Sequence, residues 1–600
     1  MQVLSPLLQS SWALSTPLTG LDKSLANLLQ SKQASDDPRH LWLAALTSHQ
    51  WGRGHACLDL ATLATQAAAL LGWTDEQVAA LPADVCAAAA SLPWTQGDAS
   101  PLVLVDDAQG ARLYLRRAWT AEQQIRHHIL QRLALPCDVP ADLQQRLDKL
   151  FPPQQLKQPD MQRMACEVAA HNRITLITGG PGTGKTTTVV KLLSLLVGTA
   201  SDALQIHLAA PTGKAAARLT ESISHALSTM PADVQSRIPT QAQTLHRLLH
   251  THPSNPTAQL ATDVVVIDEA SMIDLEMMAR LLQAVPPTAR LILLGDKDQL
   301  ASVEAGAVMS QLCTGTLLQQ QTVTLTHSHR FDASSGIGQW ARAVNAQVPD
   351  NTPALKALWQ SSPDWLATLP LQQHIEGDAA EPDVTHVQLS SASDPKLAVG
   401  LRHGWRHWLA LLAPHRSGKT TPAAPCSDAQ ALALLQAFTE FCVLCAVREG
   451  PLGVSQLNTQ VEHALGLGQG AWYAGRPVMV TRNDYALDLM NGDIGLCLPG
   501  ADGVLRVAFP SVAAGVRWVM PSRLDSVDTV FAMTVHKSQG SEFAHVFLVI
   551  PAQESPVLTR ELVYTGLTRA KKHLTLWAPQ LGVLWNACAR RVLRSGGLGS

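Results

Sequence analysis

The stretch Ile174-Thr-Leu-Ile-Thr-Gly179-Gly-Pro-Gly182-Thr-Gly184-Lys185-Thr186-Thr187 decides how this 600-residue chain is read. A short apolar run leads into a glycine-rich turn, and a Lys-Thr pair then opens a helix through Val189, Leu192, Leu193 and Leu196. Gly179, Gly184, Lys185 and Thr186 fit the phosphate-loop pattern G-x-x-x-x-G-K-[ST]. The residue types have physical reasons. Glycines let the backbone approach phosphates and aim its N–H groups inward. The helix N-terminus adds a partial positive charge. Lys185 is placed to reach β- and γ-phosphates, and Thr186 to ligate Mg²⁺. An ordinary strand-to-helix turn is the bland alternative, and it does not require strand, spacing and helix together.

Outward from this loop, residues 119–345 alternate between strand and helix. Apolar strands are predicted at Ile174–Thr178, Ile206–Ala210, Val264–Ile267 and Leu291–Leu294. That pattern predicts an α/β domain with a parallel sheet and ligands at the strands' C-terminal ends. Residues 1–118 read as a helical, Ala/Leu-rich docking module that closes on a hairpin, Leu102–Leu115. Residues 346–430 carry clusters such as Ser361-Ser-Pro-Asp364 and read as linker and surface insertion. Within them Gly418-Lys419-Thr420 is a decoy, because position 413 is Ala and no strand feeds the turn. Residues 431–600 show a second α/β pattern, with strands at Cys442–Val447, Val546–Ile550 and Leu574–Trp577. Short strand-like pieces over about 472–528 predict a small inserted antiparallel β-barrel.

Several segments carry chemistry. Asp268-Glu269 ends the strand Val264–Ile267, where a buried acidic pair is costly unless it serves a cation. Beside a phosphate loop, Asp268 can hold Mg²⁺ and Glu269 can polarise the attacking water. Gln299, in Gly295-Asp-Lys-Asp-Gln299, can report a γ-phosphate. Pro211-Thr212-Gly213-Lys214 and Thr244-Leu245-His246 offer helix starts, hydroxyls and an imidazole to backbone phosphates. Thr534-Val-His536-Lys-Ser-Gln-Gly-Ser-Glu542 is equally rich in donors. Arg330 and Arg569 are candidates for an arginine aimed at a transferring phosphoryl group, although a lone arginine is more often a surface ion-pair partner.

Bulk properties bound the rest. The chain is 46% hydrophobic and 16% charged, which suits a folded protein of several domains. A net charge of −3 means that nucleic acid could be held only by a local groove. Ten scattered cysteines fit a reducing, cytoplasmic compartment, and Cys442-x-x-Cys445 reads as buried strand rather than metal site. No export signal and no run of about twenty apolar residues is evident.

As an ordered series these segments resemble superfamily 1 DNA helicases of the 5′-to-3′ branch, and most of all the RecD family, the α subunit of exodeoxyribonuclease V (RecBCD). The strings that carry the resemblance are Gly179–Thr187, Ala210–Arg218, Gly295–Val303, Gly475–Asn483, Thr534–Phe543 and Tyr564–Ala570, across about residues 100–580. The resemblance implies two RecA-like P-loop motor domains with ATP between them, the β insertion being SH3-like, and a role in double-strand break repair and recombination. It assigns adenine recognition to Gln162 and the phosphate cradle to Gly179, Gly180, Pro181, Gly182, Thr183, Gly184, Lys185, Thr186 and Thr187. Mg²⁺ goes to Thr186 and Asp268, and the catalytic base is Glu269. Gln299, Arg330 and Arg569 surround the γ-phosphate, and Glu542 touches the ribose. Pro211, Thr212, Lys214, Thr244, His246, Thr534 and His536 line the single-strand path. The partners implied are DNA, RecB and RecC, with the nuclease on RecB. One departure is His329, where the family often has Tyr. With only four Tyr and eight Phe, backbone contacts fit better than base stacking as the grip on DNA. Three rivals stay open: a free-standing helicase, a regulatory subunit with a vestigial ATP site, and a P-loop kinase or chaperone-type ATPase.

Overall fold

The computed structural model describes residues 17–599 except 109, 153–159, 200–202, 250–258, 333, 347–349, 370–381, 390, 417–422, 469, 485 and 512–514. The decoy Gly418-Lys419-Thr420 lies outside the described residues.

The N-terminal part packs helices Gly20–Lys32, Pro38–Gly52 and Leu60–Leu71 against a small sheet. Side-chain caps start these helices: Thr19 forms a capping box with Asp22, Asp37 accepts from the Arg39 N–H ahead of Pro38, and Asp59 caps the third. The predicted hairpin forms as β2 (Leu102–Asp107) and β3 (Gly110–Leu115), and β1 (Cys57–Asp59) adds a third antiparallel strand. The helix Arg116–Ala134 then carries the chain onto the first α/β lobe. Its buried Arg132 donates to the carbonyls of Leu282 (3.2 Å) and Val285 (2.5 Å) at the end of helix Leu275–Ala284.

The first lobe is a six-stranded, all-parallel sheet: β4 (Ile174–Gly179), β5 (Ile206–Ala210), β6 (Gln243–Thr244), β7 (Val264–Ile267), β8 (Arg290–Gly295) and β9 (Thr322–Leu325), in the order β6-β5-β7-β8-β4-β9. Strands β4, β7 and β8 are buried almost throughout, which is why they read as unbroken apolar runs rather than alternating ones. The order puts the β4 and β7 tips two strands apart, on either side of β8, so the glycine loop, Asp268 and the loop after Gly295 converge.

The second lobe is a five-stranded parallel sheet interrupted by an antiparallel one. The chain makes β10 (Val384–Val387) and β11 (Phe441–Cys445). It then forms the insertion, β12 (Pro477–Val480), β13 (Ile494–Pro499), β14 (Leu505–Ser511), β15 (Gly515–Val519) and β16 (Val527–Thr529). It returns for β17 (Ala532–Thr534), β18 (Phe543–Val549) and β19 (Ala570–Trp577). The parallel order is β10-β19-β18-β11-β17. The insertion runs β15-β14-β13-β12-β16, and among the described residues its two end strands do not pair with each other. The pairing shows a five-stranded antiparallel sheet, and closure into the small barrel expected from the sequence is not seen among the described residues. Cys442 and Cys445 lie in buried β11 as free thiols, and burial pushes the Cys442 thiol up to about 12.

Residues 346–430 are not a linker. They supply β10 as the edge partner of β19, and helices whose Trp359, Trp365, Trp405 and Trp408 are buried in the second lobe's core. Trp405 stacks on Phe438 with ring planes 9° apart, and Trp365 stacks on Phe441. The Pro, Ser and Asp clusters misled the reading because they open helices. Asp364 caps Trp365–Thr368, and Asp394 caps Pro395–Gly404 with Pro395 at its first turn.

The C-terminal tail leaves the second lobe and ties the molecule together. Ala56 N–H donates to the Ser595 carbonyl (2.8 Å), Gly597 N–H donates to Glu122 (2.9 Å), and Leu598 is buried in the first lobe's core. No helix among the described residues is long and apolar enough to cross a membrane.

Candidate functional site

A cleft of about 1080 Å³ separates the two lobes, and the glycine loop forms one wall. Gly182 (φ +73°) and Gly184 (φ +81°) take left-handed conformations that side chains rarely adopt. Their lack of Cβ atoms also admits neighbours. A Cβ on Gly182 would lie 2.3 Å from Arg330 Cβ, and one on Gly184 would lie 2.3 Å from Gln162 Nε2. The loop is braced from outside: His329 N–H donates to Gly182 O (2.8 Å), Ser328 Oγ to Pro181 O (3.1 Å) and Gln162 Nε2 to Thr183 O (3.3 Å). Lys185 Nζ donates to the carbonyls of Gly179 (2.6 Å) and Gly180 (3.1 Å), so its ammonium is held over the loop. A Gly182→Ala variant is expected to fold but to lose ATP turnover by about 10²-fold, because it displaces the segment that carries Arg330. Steady-state phosphate release beside an unchanged circular-dichroism spectrum checks this.

Asp268 and Glu269 follow β7 directly. Burial, and then the charge of Glu269, push the Asp268 carboxyl up to about 6 against the opposing pull of Lys185. Its Oδ1 accepts the Glu269 N–H (2.8 Å). Glu269 itself sits at φ +52°, one of three left-handed non-glycine residues among those described. That strained backbone turns the Glu side chain at the strand tip towards the same cleft.

The second lobe contributes Arg569, a buried side chain 2% exposed. Its donors are satisfied by neutral oxygens: Gln299 Oε1 (2.7 Å), Ser541 O (3.2 Å) and Thr565 O (3.3 Å). Among the described residues it forms no ion pair. Burial lowers its pKa, an effect opposed by the more distant carboxylates of Glu269, Glu542 and Asp296. A buried cation held only by neutral groups favours an anion brought into the cleft beside it.

Gln299 joins the lobes. Its Nε2 donates to Asp296 Oδ2 (2.9 Å) while its carbonyl holds Arg569. Tyr564 OH also donates to Asp296 Oδ2 (3.1 Å), Leu300 N–H to Thr565 Oγ1 (2.9 Å) and Gln539 Nε2 to Leu300 O (2.9 Å). The resemblance put Glu542 at the ribose. Here its carboxylate is gripped by Arg330 (2.8 Å), by Arg218 and, further off, by Lys571 (3.6 Å). Burial raises its pKa, but the charges of Arg218 and Arg330 override that and hold it at about 2. Arg330 Nη1 remains buried without a partner.

The structure thus brings Gln162, the loop from Pro181 to Thr187, Asp268, Glu269, Gln299, Arg330, Glu542 and Arg569 to one cleft. The residues expected along the strand path lie outside it. Thr212 caps helix Gly213–Leu227, and Thr244 Oγ1 accepts the Arg247 N–H at the start of the short helix Leu245–Leu249. Lys214 faces the second lobe, with Nζ 5.9 Å from the Phe543 ring centre, and burial lowers its pKa. Pro211 and Thr212 precede Gly213, whose Cβ position is 3.0 Å from Met490 of the insertion's β12–β13 connection. His246 is exposed, Thr534 ends β17, and His536 lines a different cavity. The sequence reading missed Asp296, Tyr564, Thr565 and Arg218 as parts of the site. The rule that found Asp268, an acid directly after a buried strand, also applies to Asp296 after β8.

Family models match three parts of the chain: the RecBCD enzyme subunit RecD N-terminal domain over residues 15–114, an AAA domain over 162–305 and the UvrD-like helicase C-terminal domain over 529–577. The RecBCD enzyme subunit RecD of Haemophilus influenzae is 35% identical over 96% of this chain and 96% of its own length. That of Mycobacterium tuberculosis is 38% identical over 96% of this chain and 93% of its own. The ATP-dependent RecD2 DNA helicase of Deinococcus radiodurans is 30% identical over 90% of this chain but 65% of its own length. Identity of this extent, spread over both lobes and the N-terminal module, means that the chain belongs to the RecD family.

Proposed function

We propose that this chain is an ATP-driven 5′-to-3′ DNA helicase subunit that joins RecB and RecC in a cytoplasmic helicase–nuclease for double-strand break repair and recombination. One observation carries the reading: acid, lysine and arginine from two lobes meet in a single cleft, with Gln299 linking Asp296 of the first lobe to Arg569 of the second. The chain spans nearly all of the RecD subunits but 65% of the RecD2 helicase, which favours a complex subunit over a free-standing motor.

In the cycle, the loop N–H groups and Lys185 receive the phosphates of ATP. Thr186 and Asp268 supply a hydroxyl and a carboxylate, hard oxygen donors that suit Mg²⁺, and the raised Asp268 pKa marks a buried carboxylate in want of a cation. When bound, the ion neutralises charge on the β- and γ-phosphates. Glu269 orients and polarises the attacking water. Arg330 leaves Glu542 for the γ-phosphate, and Arg569 reaches it from the other lobe, with Gln299 reporting its presence to both sides. Loss of the γ-phosphate removes these contacts, the cleft relaxes, and the two lobes alternate their hold on a strand lying along Pro211, Thr212, Lys214, Thr244, His246, Thr534 and His536.

The test is strand polarity together with co-purification. The chain is expected to co-purify with RecB and RecC, to hydrolyse ATP faster with single-stranded DNA, and to unwind duplexes with a 5′ tail and not those with a 3′ tail. DNA-independent hydrolysis, or unwinding from 3′ tails alone, would refute it.

A further inference from the structure

A second cleft, of about 940 Å³, opens where the N-terminal module, the second lobe and the C-terminal tail meet. Its charged wall is Arg53, Arg590, Arg591 and Arg594, with His55 and His536 between them. The lining holds one acid, Glu554, and that acid is already paired with Arg590 (3.0 Å). Two of the other guanidiniums, Arg594 and Arg53, are fixed by neutral carbonyls. Arg594 donates to Gly54 O (2.8 Å), Glu304 O (2.9 Å) and Ser302 O (3.0 Å), and Arg53 donates to Leu70 O (2.7 Å). Arg591 is exposed and has no ion pair among the described residues.

Such a cluster is electrostatically unfavourable by itself. Burial first, and then the charge of Arg53, lower the Arg594 pKa; burial followed by Arg53 and Arg594 take His55 down to about 3. Like charges are held together by the fold and left without a counter-anion, an arrangement that gains free energy when a polyanion enters. Fixed guanidinium forks suit phosphate oxygens in particular.

We propose that this cleft is a second nucleic-acid site, which takes successive phosphates of the single strand as it passes the second lobe. The inference rests on the motor reading above, in which His536 lines the strand path, and it extends that path to Arg53 and Arg591. His536 supplies the continuity: it follows β17 and Thr534 by two residues and lines this cleft directly. Trp73 is buried with its Nε1 on His49 and the wall is dominated by guanidiniums, so the contact is expected to be mainly to the backbone and independent of sequence. A strand that fills the proposed path and also reaches this cleft must be longer than one that fills the path alone, so the contact is expected to depend on strand length.

The experiment compares the full chain with Arg591→Glu and Arg591→Ala, using oligo-dT of about 8 and about 25 nucleotides, one within and one well beyond common single-strand site sizes. Arg591 is exposed and its side chain makes no ion pair among the described residues, so basal ATPase and melting temperature are expected to stay as in the wild type. For the long oligonucleotide the slope of log K against log[salt] is expected to fall by about 0.7 for Arg591→Ala, and affinity by roughly five- to tenfold for Arg591→Glu. Binding of the short oligonucleotide is expected to be unchanged. Equal slopes and affinities for variants and wild type would overturn the proposal. So would variants that bind DNA normally but lose RecB or RecC, which would make the cleft a protein-docking site. Failure of the wild type to bind either oligonucleotide would instead overturn the motor reading on which the proposal rests.

Discussion

Lys185→Ala is expected to reduce DNA-stimulated ATP hydrolysis by about three powers of ten or more while leaving the fold intact. The ammonium sits over the loop on the carbonyls of Gly179 and Gly180, where it can move to a β- or γ-phosphate with little rearrangement. Among the described residues no other lysine stands in that position: Lys191, which lines the same cleft, has its ammonium 4.1 Å from the Phe151 ring centre. Removing the Lys185 charge also removes the first cation opposing the buried Asp268 carboxylate, whose already raised pKa is then expected to rise further. The two carbonyls left behind lose one neutral-to-charged partner, so the stability cost is expected to be about 1–3 kcal/mol. Single-turnover phosphate release and thermal melting, run side by side, separate the two effects. Wild-type turnover in a folded Lys185→Ala protein would refute the site assignment.

How far the sequence discloses this site depends on how local each signal is. The loop from Gly179 to Thr187 is legible because backbone approach, charge and helix start are all encoded within nine residues. Asp268-Glu269 is legible because a buried strand cannot tolerate such a pair without purpose. The parallel strands β4, β5, β7 and β8 announce themselves as apolar runs. What escaped are features made by tertiary contact. Strand β10 and the Trp365 and Trp405 helices hide behind capping residues that look like linker. Strands β6, β16 and β17 are two or three residues long, too short for a pattern. Insertion strands β12–β15 are legible as short strand-like pieces, but whether they close into a barrel depends on pairing between the ends, which no local run of residues specifies. The grip of Arg218 and Arg330 on Glu542 spans 324 and 212 positions of sequence, respectively. Only a fold that sets the two lobes on either side of one cleft brings those charges together.

Arg569→Ala is expected to lower kcat for ATP hydrolysis by 10³- to 10⁵-fold, the range of an arginine finger, with nucleotide binding changed far less. The argument turns on how this cation is held. It is almost fully buried, bonded to Gln299, Ser541 and Thr565 through neutral oxygens, and has no carboxylate partner within ion-pair distance among the described residues. A group kept only for stability would be cheaper as an apolar side chain of similar volume. Its position is useful when negative charge develops opposite it, which happens as the γ-phosphoryl group transfers and not when ADP alone binds. Arg569→Lys is expected to rescue little, because a single ammonium cannot reproduce the planar fork that spans Gln299 and the Ser541 carbonyl. Loss of the inter-lobe bond to Gln299 is expected to cost about 1–3 kcal/mol of stability, enough to lower the melting temperature by a few degrees without unfolding the chain. The two effects part company in a DNA-free assay. A purely structural arginine would lower basal and DNA-stimulated hydrolysis in proportion and would weaken ADP binding as the cleft loosened. A finger would abolish both rates while ADP still bound. ADP titration of Arg569→Ala beside its phosphate-release rate therefore decides the matter, and an unchanged kcat would remove the second lobe from the chemistry.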